Sequence, residues 1–197
     1  VPKNITIAKV NNFRPIKLDI KPVLPDPKKL DEAAEILTKA INDGTQIMAL
    51  VGYGTIRSHC QKELLEFLEK SQIPFASTMD AKGYMPEDHA LALGVYGTSG
   101  DHGAIKYFDN SKVVLALGNS FAQNATFGFK ADLYKDKALI HVNIDPHEIG
   151  KVYQPTCAIL SDAKPAIAGI TERLSKKVSS VKPKKIENIV CYKLVID

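Results

Sequence analysis

The chain has 197 residues, 45% of them apolar and 24% charged, with a net charge of +4; this is enough for one domain of ordinary size with flanking tails. Three cysteines, Cys60, Cys157 and Cys191, stand far apart with no C-x-x-C pair, which excludes a disulfide framework or zinc module and fits a reduced, cytoplasmic protein. The positive charge gathers in the first 30 residues and at Lys176, Lys177, Lys182, Lys184 and Lys185, as solvated linker and not a nucleic-acid face, and the longest apolar runs are too short for a membrane span or a signal peptide.

Residues 1–27 carry Pro2, Pro15, Pro22, Pro25 and Pro27 with no sustained period, which prevents helix and predicts an extended arm. Leu30, Ala33, Ala34, Leu37 and Ile41 then recur at three- and four-residue spacing, predicting a helix that Asp43-Gly44 ends. Gln46 to Val51 is a short continuous apolar run, the pattern of a strand covered on both faces. Ile56 to Ser71 is predicted as one helix with Leu64, Leu65, Phe67 and Leu68 on its apolar side. Pro74–Ser77 and Ala90–Val95 follow as strands, Asp101–Asp109 as a short helix, and Lys112–Leu117 and Ala138–Ile144 as further buried strands. Thr156–Leu160 is a sixth strand, and Asp162 caps a last helix to about Lys176. Residues 28–176 form the domain, and 177–197 a tail. Strand–helix alternation with buried strands predicts an α/β fold: a three-layer, open, mostly parallel, doubly wound six-stranded sheet of Rossmann-like type. Ligands in such sheets lie outside the carboxyl ends of the strands.

Five glycine- or polar-rich turns fall on that edge. Gly52-Tyr53-Gly54-Thr55-Ile56-Arg57 follows the first strand, where backbone amides at a helix start could meet a phosphate. The third glycine of the dinucleotide fingerprint is missing, so the motif is not an ordinary Rossmann site. Thr78, Met79, Asp80 and Ala81 follow the second strand; Gly94, Tyr96, Gly97 and Thr98 end the third and open a second possible anion site. Asn119 and Ser120 follow the fourth. Asp145 and Glu148 follow the fifth, with an acid where a ribose hydroxyl could be held.

The same turns carry a family resemblance. Leu50-Val-Gly-Tyr-Gly-Thr55, Ile73-Pro-Phe-Ala-Ser-Thr78, Ala81-Lys-Gly-Tyr-Met-Pro86, Val114-Leu-Ala-Leu-Gly118, His141-Val-Asn-Ile-Asp-Pro146 and Glu148-Ile-Gly150 occur in order. Together they resemble the central domain of thiamine-diphosphate-dependent enzymes such as acetolactate synthase and pyruvate oxidase. The resemblance implies a larger parent, a homodimer or homotetramer acting on pyruvate or another 2-oxo acid. Its amino- and carboxyl-terminal domains, absent here, would hold thiamine diphosphate and magnesium, and no catalytic or metal-binding residue is assigned to this chain. It further implies that this domain holds FAD, ADP or nothing. Gly52, Gly54, Thr55 and Arg57 would meet the diphosphate, and Thr78, Met79, Asp80 and Ala81 would line the next turn. Gly94, Tyr96, Gly97 and Thr98 would run beside the flavin, Asn119 and Ser120 would flank the cleft, and Asp145 with Glu148 would approach the adenosine end. The chain departs from acetolactate synthases where their Arg-Phe-Asp-Asp-Arg stretch becomes Ser120-Phe-Ala-Gln-Asn124.

Other readings compete. A freestanding FAD-, ADP- or NAD-binding module is one, against which the proline-rich arm and lysine-rich tail speak. A small NAD-dependent enzyme would need a catalytic Lys or His in a recognisable setting. His141 reads as a core or edge histidine in an apolar run, and Cys60 as packing more than as a reactive thiolate.

Overall fold

The computed structural model describes residues 2–17 and 21–177; the tail expected over 178–197 lies outside them. Within the arm, Lys3–Thr6 (α1) winds one helical turn. This differs from the expected extended chain, because the residues between Pro2 and Pro15 contain no proline to forbid it. The arm's end is tied to the domain by hydrogen bonds from the Asp162 amide and the Ser161 hydroxyl to the Val23 carbonyl, both 3.0 Å.

Pro27–Asn42 (α2) begins at an N-cap Asp26 whose carboxylate accepts from the Lys28 amide at 2.9 Å, with proline at the first helical position, where its missing N–H costs nothing. Leu30, Ala33, Ala34, Leu37 and Ala40 are its buried stripe. Ile47–Val51 (β1) follows, buried at every position.

The helix expected over Ile56–Ser71 is two helices, Tyr53–Arg57 (α3) and Gln61–Ser71 (α4). They are separated at Ser58–Cys60, where His59 takes a left-handed φ of 50°. Tertiary contacts hold the break: the Ser58 hydroxyl donates to the Asp162 carboxylate and accepts from the Lys164 amide. Apolar periodicity cannot register a break whose cause lies so far along the chain.

Phe75–Ser77 (β2), Ala92–Val95 (β3), His102–Asn110 (α5), Val113–Leu117 (β4), Ala138–Asn143 (β5), Cys157–Leu160 (β6) and Ala163–Lys177 (α6) complete the order. The six strands form one sheet in the order β3-β2-β1-β4-β5-β6, with every pairing parallel. The sheet is open, parallel and doubly wound, as the alternation predicts. Strand order reverses between β1 and β4, which opens a crevice at their carboxyl ends.

Alternate residues of each strand feed two cores. Ile47, Ala49 and Val51 with Val113, Leu115 and Leu117 face α2, α4 and α6. Met48, Leu50, Val114 and Ala116 face α5 and the long connection from β4 to β5. That second core is aromatic. Tyr96 lies 4.6 Å from Phe108, and Phe121 contacts Tyr134 and Tyr153 at 5.4 and 5.5 Å between ring centroids. Burying each large side chain contributes about 1.5–3 kcal/mol.

Candidate functional site

A cleft of about 350 Å³ opens at the carboxyl ends of β2, β1, β4 and β5. Of the residues expected from sequence, Gly52, Gly54, Thr78, Met79, Asp80, Asn119, Ser120 and Glu148 line it. Tyr53, Gly118, Ala122, Gln123, Asn124, Ala125 and Asn143 also line it. The signal that could have found several of these was the polar run Ser120–Asn124, which returns along the same edge.

The remaining expected residues lie elsewhere. Thr55 is buried and donates its hydroxyl to the Gly52 carbonyl at 2.8 Å. Arg57 is exposed at the far end of α3 and outside the lining, and Ala81 is buried beneath its turn. Gly94 packs against Asp101, whose carboxylate accepts from the Val95 amide at 2.7 Å. Tyr96 belongs to the aromatic core, Gly97 abuts the Asn124 backbone, and Thr98 bonds the Asn124 carbonyl through amide and hydroxyl. Asp145 turns back to accept from the His147 amide at 2.9 Å, closing its own loop.

The glycines of the first turn serve an unexpected purpose. A β-carbon on Gly52 would come within 2.4 Å of the Gly118 carbonyl oxygen, and one on Gly54 within 2.7 Å of the Gly118 α-carbon. Two turns at the ends of neighbouring strands thus press backbone to backbone, which glycine alone allows. Three amides of the first turn are bonded as well. Gly52 donates to the Leu117 carbonyl, Gly54 to Gly118 and Thr55 to Gly52, at 2.9, 2.9 and 3.1 Å. In the turn after β3, the Tyr96, Thr98, Gly100 and Asp101 amides are likewise bonded to backbone carbonyls. The cleft lining contains Asp80 and Glu148 but no Lys, Arg or His. Amides already committed at Gly52, Gly54 and Thr55, and a lining that carries carboxylates and no cation, suit the diphosphate of FAD or ADP poorly, since that group calls for free donors and positive charge.

A buried polar cluster forms the floor. The Asn119 carbonyl accepts from His141 Nε2 at 2.8 Å and from Asn143 Nδ2 at 3.0 Å, while Asn119 Oδ1 accepts from the Phe121 amide at 2.6 Å. His141 Nε2 is therefore the protonated nitrogen. Burial lowers the His141 pKa, a shift opposed by its bond to Asn119 and by the nearby charge of Glu148. As pH falls below about 6.5, the unfolded chain takes up a proton that folded His141 refuses. Stability at His141 is thus complete above that pH and lost below it, by at most about 1.4 kcal/mol per pH unit. The loss levels off below the folded pKa. His141→Gln, which keeps a donor, is expected to flatten this part of the profile; urea midpoints at about pH 7.5 and 5.5 check it.

Cys60 is fully buried, bonds the Thr55 carbonyl at 3.4 Å, and has its thiol pushed up to about 11 by burial, so it packs and is not a thiolate at neutral pH. Among the described residues, no group of three His, Cys, Asp or Glu side chains is placed to hold a metal ion, and no helix is long and apolar enough to cross a membrane.

Comparison with known proteins places this architecture. Residues 30–170 match the family described as the central domain of thiamine pyrophosphate enzymes. The chain is 31% identical over 196 residues to an acetolactate synthase large subunit of Corynebacterium glutamicum, covering 98% of this chain and 30% of that protein. It is 33% identical over 171 residues to a probable acetolactate synthase large subunit of Methanocaldococcus jannaschii, covering 83% and 28%. It is 30% identical over 174 residues to an acetolactate synthase of Mycobacterium leprae, covering 88% and 28%. The chain thus spans less than a third of the length of these relatives, and a freestanding cofactor module finds no support among them. The ordered turns, the parallel sheet and the match over most of its length together establish that this chain belongs to the thiamine pyrophosphate enzyme central-domain family.

Proposed function

We propose that this chain serves as the central domain of a thiamine-diphosphate-dependent enzyme acting on pyruvate or another 2-oxo acid, after the manner of an acetolactate synthase. The observation that carries the reading is the alignment of nearly the whole chain with an acetolactate synthase large subunit. In this reading the outer domains of the parent hold thiamine diphosphate and magnesium, and the parent is a cytoplasmic homodimer or homotetramer. The central sheet sets the spacing of those domains and performs no chemistry alone. The cation-free lining of the cleft favours a structural role over a flavin-bearing one.

A chimera tests this. The matching segment of the Corynebacterium glutamicum large subunit is replaced by residues 28–176, and pyruvate consumption is followed with thiamine diphosphate and magnesium supplied. The chimera is expected to assemble as its parent does and to consume pyruvate, while the chain alone consumes none. A chimera that assembles normally yet is inert, or pyruvate turnover by the chain alone, would overturn the reading.

A further inference from the structure

The last carbonyls of a helix have no partner within it. In α5 they fall at the amino edge of the sheet, on the side away from the cleft. Lys137, half-buried just before β5, sends its ammonium to the carbonyls of Phe108, Asp109 and Ser111 at 2.9, 2.9 and 2.8 Å. An ammonium has three donors, so all are used, and every acceptor is main chain. The Phe108 ring supplies the remaining wall, its centroid 4.9 Å from Nζ, within reach of a cation–π attraction.

Three carbonyls and a ring face converging on one point suit a monovalent cation of any kind. The carbonyls carry the negative end of the α5 dipole, and backbone carbonyls replace the hydration shell of potassium in just this manner. Asp109 and Asp136 lie near enough to favour a positive charge there, and Lys112 near enough to oppose it. The acceptors are also held in place without Lys137. Phe108 and Ser111 are fully buried. The Ser111 amide donates to the Phe108 carbonyl at 3.0 Å, and its hydroxyl to the Tyr107 carbonyl at 2.8 Å. Gln46 Nε2 holds the same Tyr107 carbonyl at 2.7 Å.

We infer that the end of α5 is a monovalent-cation site whose resident ion is the Lys137 ammonium, and that it takes up free ammonium or potassium when that side chain is cut back. The site lies outside the cleft and does not depend on the proposed parent enzyme.

Thermal unfolding of the full chain in chloride salts at about 0.15 M tests this. In tetramethylammonium, too large to enter, Lys137→Ala is expected to unfold several degrees below the unsubstituted chain. In ammonium at ten times its Kd it regains about 3–6 °C, with potassium next and sodium less. The unsubstituted chain, its site filled, corrects for general salt effects. Lys137→Met, whose thioether fills the space, shows the loss without the recovery. No recovery of Lys137→Ala in ammonium beyond that correction, or an equal one in Lys137→Met, overturns the inference. Should Lys137→Ala fold in none of the salts, nitrogen NMR of the lysine ammonium groups in the unsubstituted chain decides. One resonance is expected to exchange its protons at least about tenfold more slowly than exposed lysines and to vanish in Lys137→Arg. Absence of such a resonance overturns the inference equally.

Discussion

Gly118→Ala is expected to destabilise the protein by about 4 kcal/mol, from a left-handed backbone and an overpacked contact together. Gly118 sits at φ 58°, and a β-carbon there would lie 2.6 Å from the Gly54 α-carbon and 2.8 Å from the Thr55 amide nitrogen. Those neighbours are backbone, held by the Gly54-to-Gly118 hydrogen bond at 2.9 Å, so nothing flexible can give way. Two other glycines separate the contributions. At Gly52, φ is −103° and any residue could adopt it, but the added carbon would meet the Gly118 carbonyl at 2.4 Å, so Gly52→Ala is expected to cost about 3 kcal/mol from crowding alone. Gly83 has φ 77° with nothing within 4 Å, so Gly83→Ala is expected to cost about 1 kcal/mol from conformation alone. Urea midpoints at constant slope give all three values. If Gly118→Ala costs no more than Gly83→Ala, the two turns are not packed against each other as described.

Phe121→Ala is expected to cost about 3–5 kcal/mol, the range for emptying an aromatic site in a core. Phe121 is 1% exposed and lies 4.7 Å from the His141 ring, with Tyr134 and Tyr153 edge-on to it. Few of these neighbours can fill the space, because His141 is held by Asn119 and Tyr153 by its bond to the Lys130 carbonyl at 2.9 Å. Phe121 also carries a φ of 52°, unusual for a bulky residue and tolerated where the surroundings over-determine it. Alanine keeps the backbone strain and loses the packing that offsets it. Phe121→Leu, which retains most of the volume, is expected to lose less. The substitution reaches the cleft as well, since the Phe121 amide orients the Asn119 side chain.

The local chemistry of this chain determined much of its architecture. Ile47–Val51 and Val113–Leu117 are apolar without alternation because both faces of a parallel strand are covered. The period of α2 and its Asp26 cap are likewise short-range signals, readable from neighbours three or four residues away. Glycine and polar residues concentrate after successive strands, and eight residues chosen on that ground line the cleft at that edge. What those residues do there was decided by tertiary structure. Gly52-x-Gly54 reads as a place for phosphate to approach, yet its glycine amides are taken by Leu117 and Gly118 and its open space by Gly118, which arrive only because β4 pairs with β1. Tyr96 and Gly97 stand on a turn at the proper edge, yet the ring joins the aromatic core and the glycine meets Asn124. The break between α3 and α4 follows from Ser58 and Asp162, and the order of the cleft floor from His141 and Asn143 both donating to the Asn119 carbonyl. Periodicity and capping are set by interactions along a few residues of chain, whereas the occupancy of a donor or the room beside a glycine depends on which distant strand comes to lie next to it.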